Sequence, residues 1–132
     1  MPPTLPAARL SLVSDESPRL GLVEPSWTTR KGLLGIRSVN EAGHWRLELE
    51  GELDLSNSDA LENEIRLAET SAETITIDLQ GLTFMDSSGL HVLSAAHGRS
   101  GAESRLRLRK GPRAVQRVFS LTGTEQTLSF AS

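Results

Sequence analysis

The chain has 132 residues, of which 37% are hydrophobic and 4% aromatic, and its formal net charge is −3 at pH 7. This length suits one domain with a modest aliphatic core, and the sequence shows neither the run of about 18 apolar residues that a membrane-spanning helix needs nor a secretory signal pattern. The absence of cysteine excludes disulfides and thiolate chemistry, and the acidic balance argues against nucleic-acid binding, so we expect a cytoplasmic protein without a membrane or nucleic-acid partner.

The first part of the chain differs in composition from the rest. Five of the six prolines lie within residues 1–31, where no hydrophobic period is sustained. We expect residues 1–31 to form a poorly ordered extension and residues 32–132 to form one folded domain. A docking arm is the alternative for this extension, and its apolar residues would be Leu20, Leu22, Val23 and Trp27.

Two strands and a helix are predicted next. Residues 33–39 and 44–50 form the strands, since apolar and polar residues alternate in the second, and residues 41–43 form a glycine-containing hairpin turn. Residues 51–55 are expected to be a loop. Ser56 then caps a helix that extends to about Glu69.

The stretch from Thr74 to Gly98 changes its period in the middle. It opens with alternation typical of a half-buried strand, which Gly81 ends, and after Asp86 the apolar residues recur about one helical turn apart. A helix therefore begins near Ser88. Unpaired N–H groups and the positive end of the helix dipole meet at such a helix start, so the site suits a phosphate or a carboxylate from a partner.

A third β–α pair completes the domain. Residues 105–109 alternate as a strand, Pro112 starts a helix that Gly123 ends, and residues 127–130 form a short last strand. Because each strand has one apolar face, a doubly wound sheet is excluded. The pattern predicts an α/β two-layer fold, a mixed sheet of about four to five strands with helices packed mainly on one face.

Other chemistries fit the sequence less well. Ser87, His91 and Asp54 could make a serine hydrolase triad, but the Gly-x-Ser-x-Gly elbow is missing. The three histidines are scattered, and no phosphate-binding glycine loop is present. We therefore expect no catalytic residue, no metal and no cofactor. The stripe of Arg105, Arg107 and Arg109 is expected to pair with acids on neighbouring strands, with an acidic protein partner as the alternative.

Residues 82–90 (LTFMDSSGL), with Gly51-Glu52-Leu53-Asp54 about thirty residues upstream, resemble the STAS domain family and within it the bacterial anti-sigma factor antagonists. The resemblance extends over residues 33–130 and implies the two-layer fold described above. One departure is His91, where many relatives carry a smaller residue, and this bulkier side chain would reshape the partner surface.

The resemblance implies a function. Ser87 would be phosphorylated by an anti-sigma factor that is itself a serine kinase and binds the ATP, and a phosphatase would reset the switch. From the residues alone, one of the two serines could simply cap the helix and Asp54 could be an ordinary turn aspartate after a strand. Asp86 could belong to the site, but it is expected to brace the turn by bonding the following N–H groups. The resemblance makes Ser88 the better helix cap and implies that Asp54 lies near the phosphorylation loop, where it contributes to binding and to the phosphorylation reaction. The expected partner-binding set is Asp54, Asp86, Ser87, Ser88 and Gly89.

By the same resemblance, the chain would be a substrate and binder, a monomer or weak dimer, and not an enzyme. Bound to the anti-sigma factor, it would release a sigma factor. The alternative is a STAS subunit of another assembly, such as a stress-signalling or lipid-transport complex, without the serine switch.

Overall fold

The computed structural model describes residues 27–101 and 105–131. The predicted extension up to residue 26 lies outside the described residues, so its order remains a prediction. In chain order the elements are β1 (Thr29–Lys31), β2 (Leu34–Glu41), β3 (His44–Leu53), α1 (Ser58–Glu69), β4 (Thr74–Met85), α2 (Ser87–Ser100), β5 (Leu106–Arg109), α3 (Arg113–Thr122) and β6 (Phe130–Ala131).

The strands form one mixed sheet in the order β1-β2-β3-β4-β5-β6. The first three strands are antiparallel neighbours, whereas β3, β4, β5 and β6 run parallel. Between β2 and β3 the predicted hairpin turn is present, and both central residues, Ala42 and Gly43, have positive φ angles of 56° and 92°. Such a turn matches the right-handed twist of a hairpin.

The core lies between one face of the sheet and the three helices. The central strand contributes Ile75, Ile77 and Leu79, which are almost completely buried. The helices add further buried apolar residues: Leu61 and Ile65 from α1, Leu93 and Ala96 from α2, and Val115 and Phe119 from α3. The predicted α/β two-layer arrangement is therefore confirmed. Among the described residues, no helix is both long and apolar enough to cross a membrane.

The opposite face of the sheet carries polar and charged side chains. Glu48 on β3 receives hydrogen bonds from Arg46 and from Arg37 on β2. The hydrogen bond from Arg46, together with that from Arg37, holds the pKa of the Glu48 carboxyl below its usual value although partial burial opposes this. Because its side chains are polar and charged, this face is solvated and is not a second core. Ion pairs in such exposed positions contribute only about 0–1 kcal/mol each to stability.

The arginine stripe pairs only partly as predicted. Arg109 lies 3.6 Å from Asp78 on the neighbouring strand. Arg105 instead donates to the backbone carbonyl of Ala72, and among the described residues Arg107 has no ion pair. Cross-strand pairing thus accounts for one of the three arginines.

The sheet has six strands, more than the four to five predicted. The added strand β1 consists of residues that were assigned to the extension, and it is held by side chains of α1. Lys31 donates to both carboxylate oxygens of Asp59, and Thr29 donates to Glu64. The folded domain therefore begins at least three residues earlier than predicted.

Three predicted boundaries were wrong, and a glycine or a cap residue explains each. The central strand continues through Gly81 to Met85, and the strand before it continues through Gly51 to Leu53. The N-cap position of the first helix is Asn57, one residue after the predicted Ser56, and its side chain makes no capping hydrogen bond. By contrast, Pro112 and Gly123 delimit α3 as predicted, with Gly123 at φ 74°.

Candidate functional site

The two loops that the sequence singled out meet where β3 and β4 end. Leu53 and Met85 are opposite each other in the parallel ladder, and the backbone N–H of Asp86 donates to the carbonyl of Leu53 at 3.2 Å. The chain leaves the sheet at both residues. Asp54 and the Asp86-Ser87 turn consequently lie side by side at the carboxyl edge of the sheet.

Two glycines lie at irregularities of the β3–β4 ladder just before this edge. Gly51 has a φ of 96°, and a Cβ there would lie 1.8 Å from the carbonyl oxygen of Leu33. At Gly81 a Cβ would lie 2.6 Å from the carbonyl oxygen of Leu49. The β3–β4 register shifts near both positions. A ladder irregularity of this kind changes the direction in which the following side chains point, and the two glycines allow the close backbone approach that accompanies it.

Asn57 holds the Asp54 loop from within, and the sequence analysis missed this role. Its Oδ1 accepts from the backbone N–H of Asp54 at 2.9 Å, and its Nδ2 donates to the carbonyl of Glu52 at 2.9 Å. Only 1% of Asn57 is exposed, which makes it the one polar residue buried in the core among those described. Asparagine before an apolar helical stripe signals a cap, but here the side chain turns back to the loop and caps no N–H group of α1.

The Asp54 carboxylate is itself held in place. Its Oδ1 accepts hydrogen bonds from the backbone N–H of Ser56 at 3.0 Å and from the Ser56 hydroxyl at 2.6 Å. This local pattern is typical of aspartate in turns. The loop is therefore preformed, with a half-buried carboxylate fixed at the rim of the sheet.

At the start of α2, Asp86 and not Ser88 caps the helix. The Asp86 Oδ1 accepts from the backbone N–H of Ser88 at 2.8 Å. The predicted bracing role of Asp86 is confirmed, whereas the prediction of Ser88 as the cap was wrong. Asp86 suits this position because its extended backbone and short carboxylate reach an otherwise unpaired N–H group of the first turn. The cap needs neither serine hydroxyl.

The two serines differ in exposure and bonding. Ser87 is exposed, and Ser88 is half-buried. Within the part of the chain that the structure describes, the Ser87 hydroxyl makes no hydrogen bond. Ser87 thus has an exposed hydroxyl that takes no part in the helix cap.

Gly89 packs α2 against the ends of the strands. It is buried, and a Cβ at this position would lie 2.7 Å from both Leu53 Cδ2 and Met85 Cγ. No side chain can fit there without displacing these two. Gly89 therefore positions the helix start, and its place in the expected partner-binding set stays a prediction.

The arrangement does not form a serine hydrolase triad. His91 is exposed and forms no hydrogen bond with Ser87 among the described residues, and the Asp54 carboxylate is bonded to Ser56. Histidines elsewhere bond to hydroxyl groups, His44 to Thr74 and His97 to Ser129. Across residues 27–101 and 105–131, no group of three or more potential metal ligands comes together.

Acidic side chains without ion pairs surround the site. Glu50, Glu52, Asp54 and Asp86 all lie at or near the carboxyl edge, and none forms an ion pair with another described residue. Acids elsewhere are paired, for example Asp59 with Lys31 and Glu69 with Arg99. The site consequently has a negative local charge available for a partner.

Known structures share this fold. An anti-sigma factor antagonist from Mycobacterium paratuberculosis is similar with a TM-score of 0.68 and 26% identity, over 74% of this chain and 84% of that one. The phosphorylated form of the Bacillus cell fate determinant SpoIIAA is similar with a TM-score of 0.57 and 22% identity, over 74% and 91% of the two chains. The unphosphorylated form of the anti-sigma factor antagonist SpoIIAA is similar with a TM-score of 0.62 and 23% identity, over 74% of this chain and 88% of that one. No curated protein sequence matches significantly.

A comparison with protein families agrees with this architecture. The family described as Mlab, STAS domain, matches residues 37–129, which include β3, β4 and both loops of the site. The chain belongs to the STAS domain family.

Proposed function

We propose that the chain is an anti-sigma factor antagonist that binds an anti-sigma factor kinase, so that a sigma factor is released, and that phosphorylation of Ser87 switches this binding off. One observation carries the proposal. An exposed serine hydroxyl without a hydrogen bond among the described residues lies at a helix start, next to a preformed carboxylate loop at the same edge of the sheet.

The separation of roles between Asp86 and Ser87 supports Ser87 as the phosphate acceptor. Asp86 caps α2, so a change at Ser87 leaves the helix start intact. The dipole of α2 also favours negative charge at this end. A phosphate on Ser87 is therefore compatible with the folded domain, and its effect falls on the binding surface.

The charge of the site explains why phosphorylation weakens binding. A phosphoserine adds about −1.5 to −2 charges at pH 7. It would join Asp54 and Asp86 at an edge that has no compensating ion pair among the described residues. When a partner covers this edge, the phosphate loses water and repels both carboxylates, and both effects oppose the complex.

In the proposed reaction the partner supplies the catalytic groups. The hydroxyl oxygen of Ser87 attacks the γ-phosphorus of ATP bound to the anti-sigma factor, ADP leaves, and the hydroxyl proton passes to a base or to water. The chain contributes the acceptor and the positioned Asp54 loop, and acts as substrate and binder rather than as an enzyme. A phosphatase restores the free hydroxyl. The two structures of SpoIIAA, one phosphorylated and one not, support such a cycle.

A kinase assay tests the proposal. The purified chain would be incubated with ATP, Mg²⁺ and each anti-sigma factor kinase encoded by the source organism, and the modified residue mapped by mass spectrometry. We expect one phosphate on Ser87, its loss in Ser87→Ala and its retention in Ser88→Ala. Efficient phosphorylation of Ser87→Ala would show that another residue is the acceptor.

The description of the matching family as Mlab favours a second candidate. In it the chain is a STAS subunit of another assembly, such as a lipid-transport complex, and Ser87 contacts a partner without being modified. Co-purification of the tagged chain separates the two. Transport subunits bound equally by wild type and Ser87→Asp would support the second candidate, because a phosphate mimic should disrupt the first.

A further inference from the structure

Large hydrophobic side chains are exposed at the same edge as Ser87. Of the five such side chains in the described residues, three lie there: Leu33, 60% exposed, Leu55, 78% exposed, and Phe84, 46% exposed. We call these three residues the apolar rim. The other two, Leu67 on α1 and Leu121 on α3, are 63% and 74% exposed and lie on helices away from the strand ends.

Two residues of the rim contact the end of β3, and the third lies in the loop that follows β3. The N–H of Glu52 donates to the carbonyl of Leu33 at 2.9 Å, and Phe84 is the partner of Glu52 in the β3–β4 ladder. Leu55 directly follows Asp54 in the loop that Asn57 secures. The rim is therefore built on strand ends and a braced loop, and its exposure is not that of a loose terminus.

An open groove extends from the rim along the solvated face. It has a volume of about 500 Å³, and its walls include Trp27, Arg30, Leu33, Glu52 and Thr83. The guanidinium of Arg30 lies 5.5 Å from the centre of the Trp27 ring. This groove gives the apolar rim a concave continuation on the side of β1.

The charges beside the apolar rim indicate which side chains a partner surface needs in order to bury it. Glu50, Glu52, Asp54 and Asp86 lack ion pairs among the described residues. A partner surface that buries the rim must also neutralise these carboxylates, since an unpaired charge at a desolvated interface is costly. Apolar side chains next to lysine or arginine meet both demands.

We propose that the apolar rim forms the energetic centre of the surface that binds the anti-sigma factor, and that the partner opposes it with apolar side chains flanked by basic ones. This inference rests on the proposed function. It also gives the rim a part in the switch. By excluding water around Ser87 in the complex, the rim increases the cost of placing a phosphate there, because a phosphate in an apolar interface beside carboxylates is both desolvated and repelled.

Five single substitutions, each of an exposed apolar residue by glutamine, test the rim. Leu33→Gln, Leu55→Gln and Phe84→Gln change it, and Leu67→Gln and Leu121→Gln are the controls on equally exposed leucines. The probe is the purified anti-sigma factor kinase that phosphorylates the wild-type chain, with ADP bound, and calorimetry gives the affinity. We expect the rim variants to bind about tenfold more weakly or worse, as for central interface residues, and the controls to stay within about twofold.

The outcomes separate this inference from the proposed function. Wild-type binding with all five variants within about twofold would overturn the rim and leave the proposed function standing. Failure of the wild type to bind or to be phosphorylated by any anti-sigma factor kinase would overturn both. Thermal melting of each variant guards against misfolding, and a rim variant that binds weakly but melts like wild type supports the inference.

Two further readouts test the chemistry. Glu52→Gln should weaken binding and reduce its dependence on salt, because one carboxylate fewer faces the basic partner surface. In Phe84→Gln the ratio between the affinities of the unphosphorylated and phosphorylated forms should shrink, since water then reaches the phosphate. An unchanged ratio in a variant that binds weakly would contradict the part of the rim in the switch.

Discussion

The carboxylate of Asp86 accepts a hydrogen bond from the backbone N–H of Ser88 at 2.8 Å, and this bond caps α2. The residue between them, Ser87, is exposed and has no part in the cap. Under the proposed function, helix capping and phosphorylation therefore fall on adjacent residues. A phosphate on Ser87 would then leave the cap of α2 in place.

Removal of the cap should cost stability, whereas removal of the neighbouring hydroxyl should not. Asp86→Ala is expected to lower the free energy of unfolding by about 1 kcal/mol, the usual value for a lost N-cap. Ser87→Ala should stay within about 0.5 kcal/mol of wild type, as for most exposed positions. Urea denaturation of both variants measures this. A larger loss for Ser87→Ala than for Asp86→Ala would show that the serine and not the aspartate stabilises the helix start.

Two glycines of α2 should respond to alanine in opposite directions. At Gly89 the new Cβ would lie 2.7 Å from Leu53 and Met85, so overpacking should destabilise the fold by about 1–3 kcal/mol. At Gly98 no heavy atom lies within 4 Å, so alanine should stabilise the helix by up to about 1 kcal/mol. Thermal melting of the two variants is the measurement. Similar shifts in both would contradict the close packing of α2 on the strand ends.

Asn57 is expected to be the structural support of the Asp54 loop. Asn57→Ala leaves the N–H of Asp54 and the carbonyl of Glu52 without their partner in a buried site, which costs about 1–3 kcal/mol. The control Ser56→Ala removes an exposed hydrogen bond to Asp54 and should cost well under 1 kcal/mol of unfolding free energy. Chemical denaturation compares the two. Equal stability of Asn57→Ala and wild type would mean that water replaces both bonds.

A negative charge at Ser87 should act on binding alone. Ser87→Asp places a carboxylate at the positive end of the α2 dipole, which favours it by about 0.3–1 kcal/mol, so the melting temperature should fall little. Binding to the anti-sigma factor should weaken, because the new charge joins Asp54 and Asp86. Melting curves and calorimetry on the same preparation check both statements. A large drop in melting temperature would contradict the helix-start argument.

Acid should weaken the ion pairs of the solvated face. Hydrogen bonds from Arg46 and Arg37 hold the pKa of the Glu48 carboxyl below its ordinary value of 4.5. The contribution of Glu48 to the free energy of unfolding is therefore complete above pH 4.5, and it is lost as the pH falls through the lower pKa of the folded state. Glu48→Gln should therefore be less stable than wild type at pH 7, by under about 1 kcal/mol. Denaturation at several pH values should show this difference shrinking in acid. A stability difference that grows in acid would show that the ionised Glu48 carboxylate does not stabilise the fold.

Hydrophobic periodicity was sufficient to predict most of this fold. The alternation of residues 74–79 and the helical stripe after Asp86 correspond to β4 and α2, because both patterns depend on which face is buried. The boundaries at Gly51 and Gly81 could not be predicted in this way. Glycine usually ends a strand or helix, but here Gly51 and Gly81 each lie within a strand and let a backbone carbonyl approach closely. The carbonyl belongs to a part of the chain that is distant in sequence, so local patterns do not reveal it.

The site was only partly accessible from the sequence. The proximity of Asp54 and Ser87 followed from the family resemblance, since residue chemistry alone left a capping serine and a turn aspartate as ordinary explanations. The inward role of Asn57 depends on burial and on the path of the Asp54 loop. Strand β1 has too few residues to show a period and is held by α1 through Lys31 and Asp59. These features come from tertiary contacts that no local pattern contains.

The affinity of one anti-sigma factor kinase for the chain before and after phosphorylation of Ser87 is the most direct measurement. Calorimetry on the two forms, each verified by intact mass, would give both dissociation constants. The account predicts binding at least about tenfold weaker after phosphorylation, a difference of about 1.4 kcal/mol, with little change in melting temperature. Equal affinity of the two forms would contradict the switch at Ser87 and would leave the chain a STAS domain that binds its partner without it.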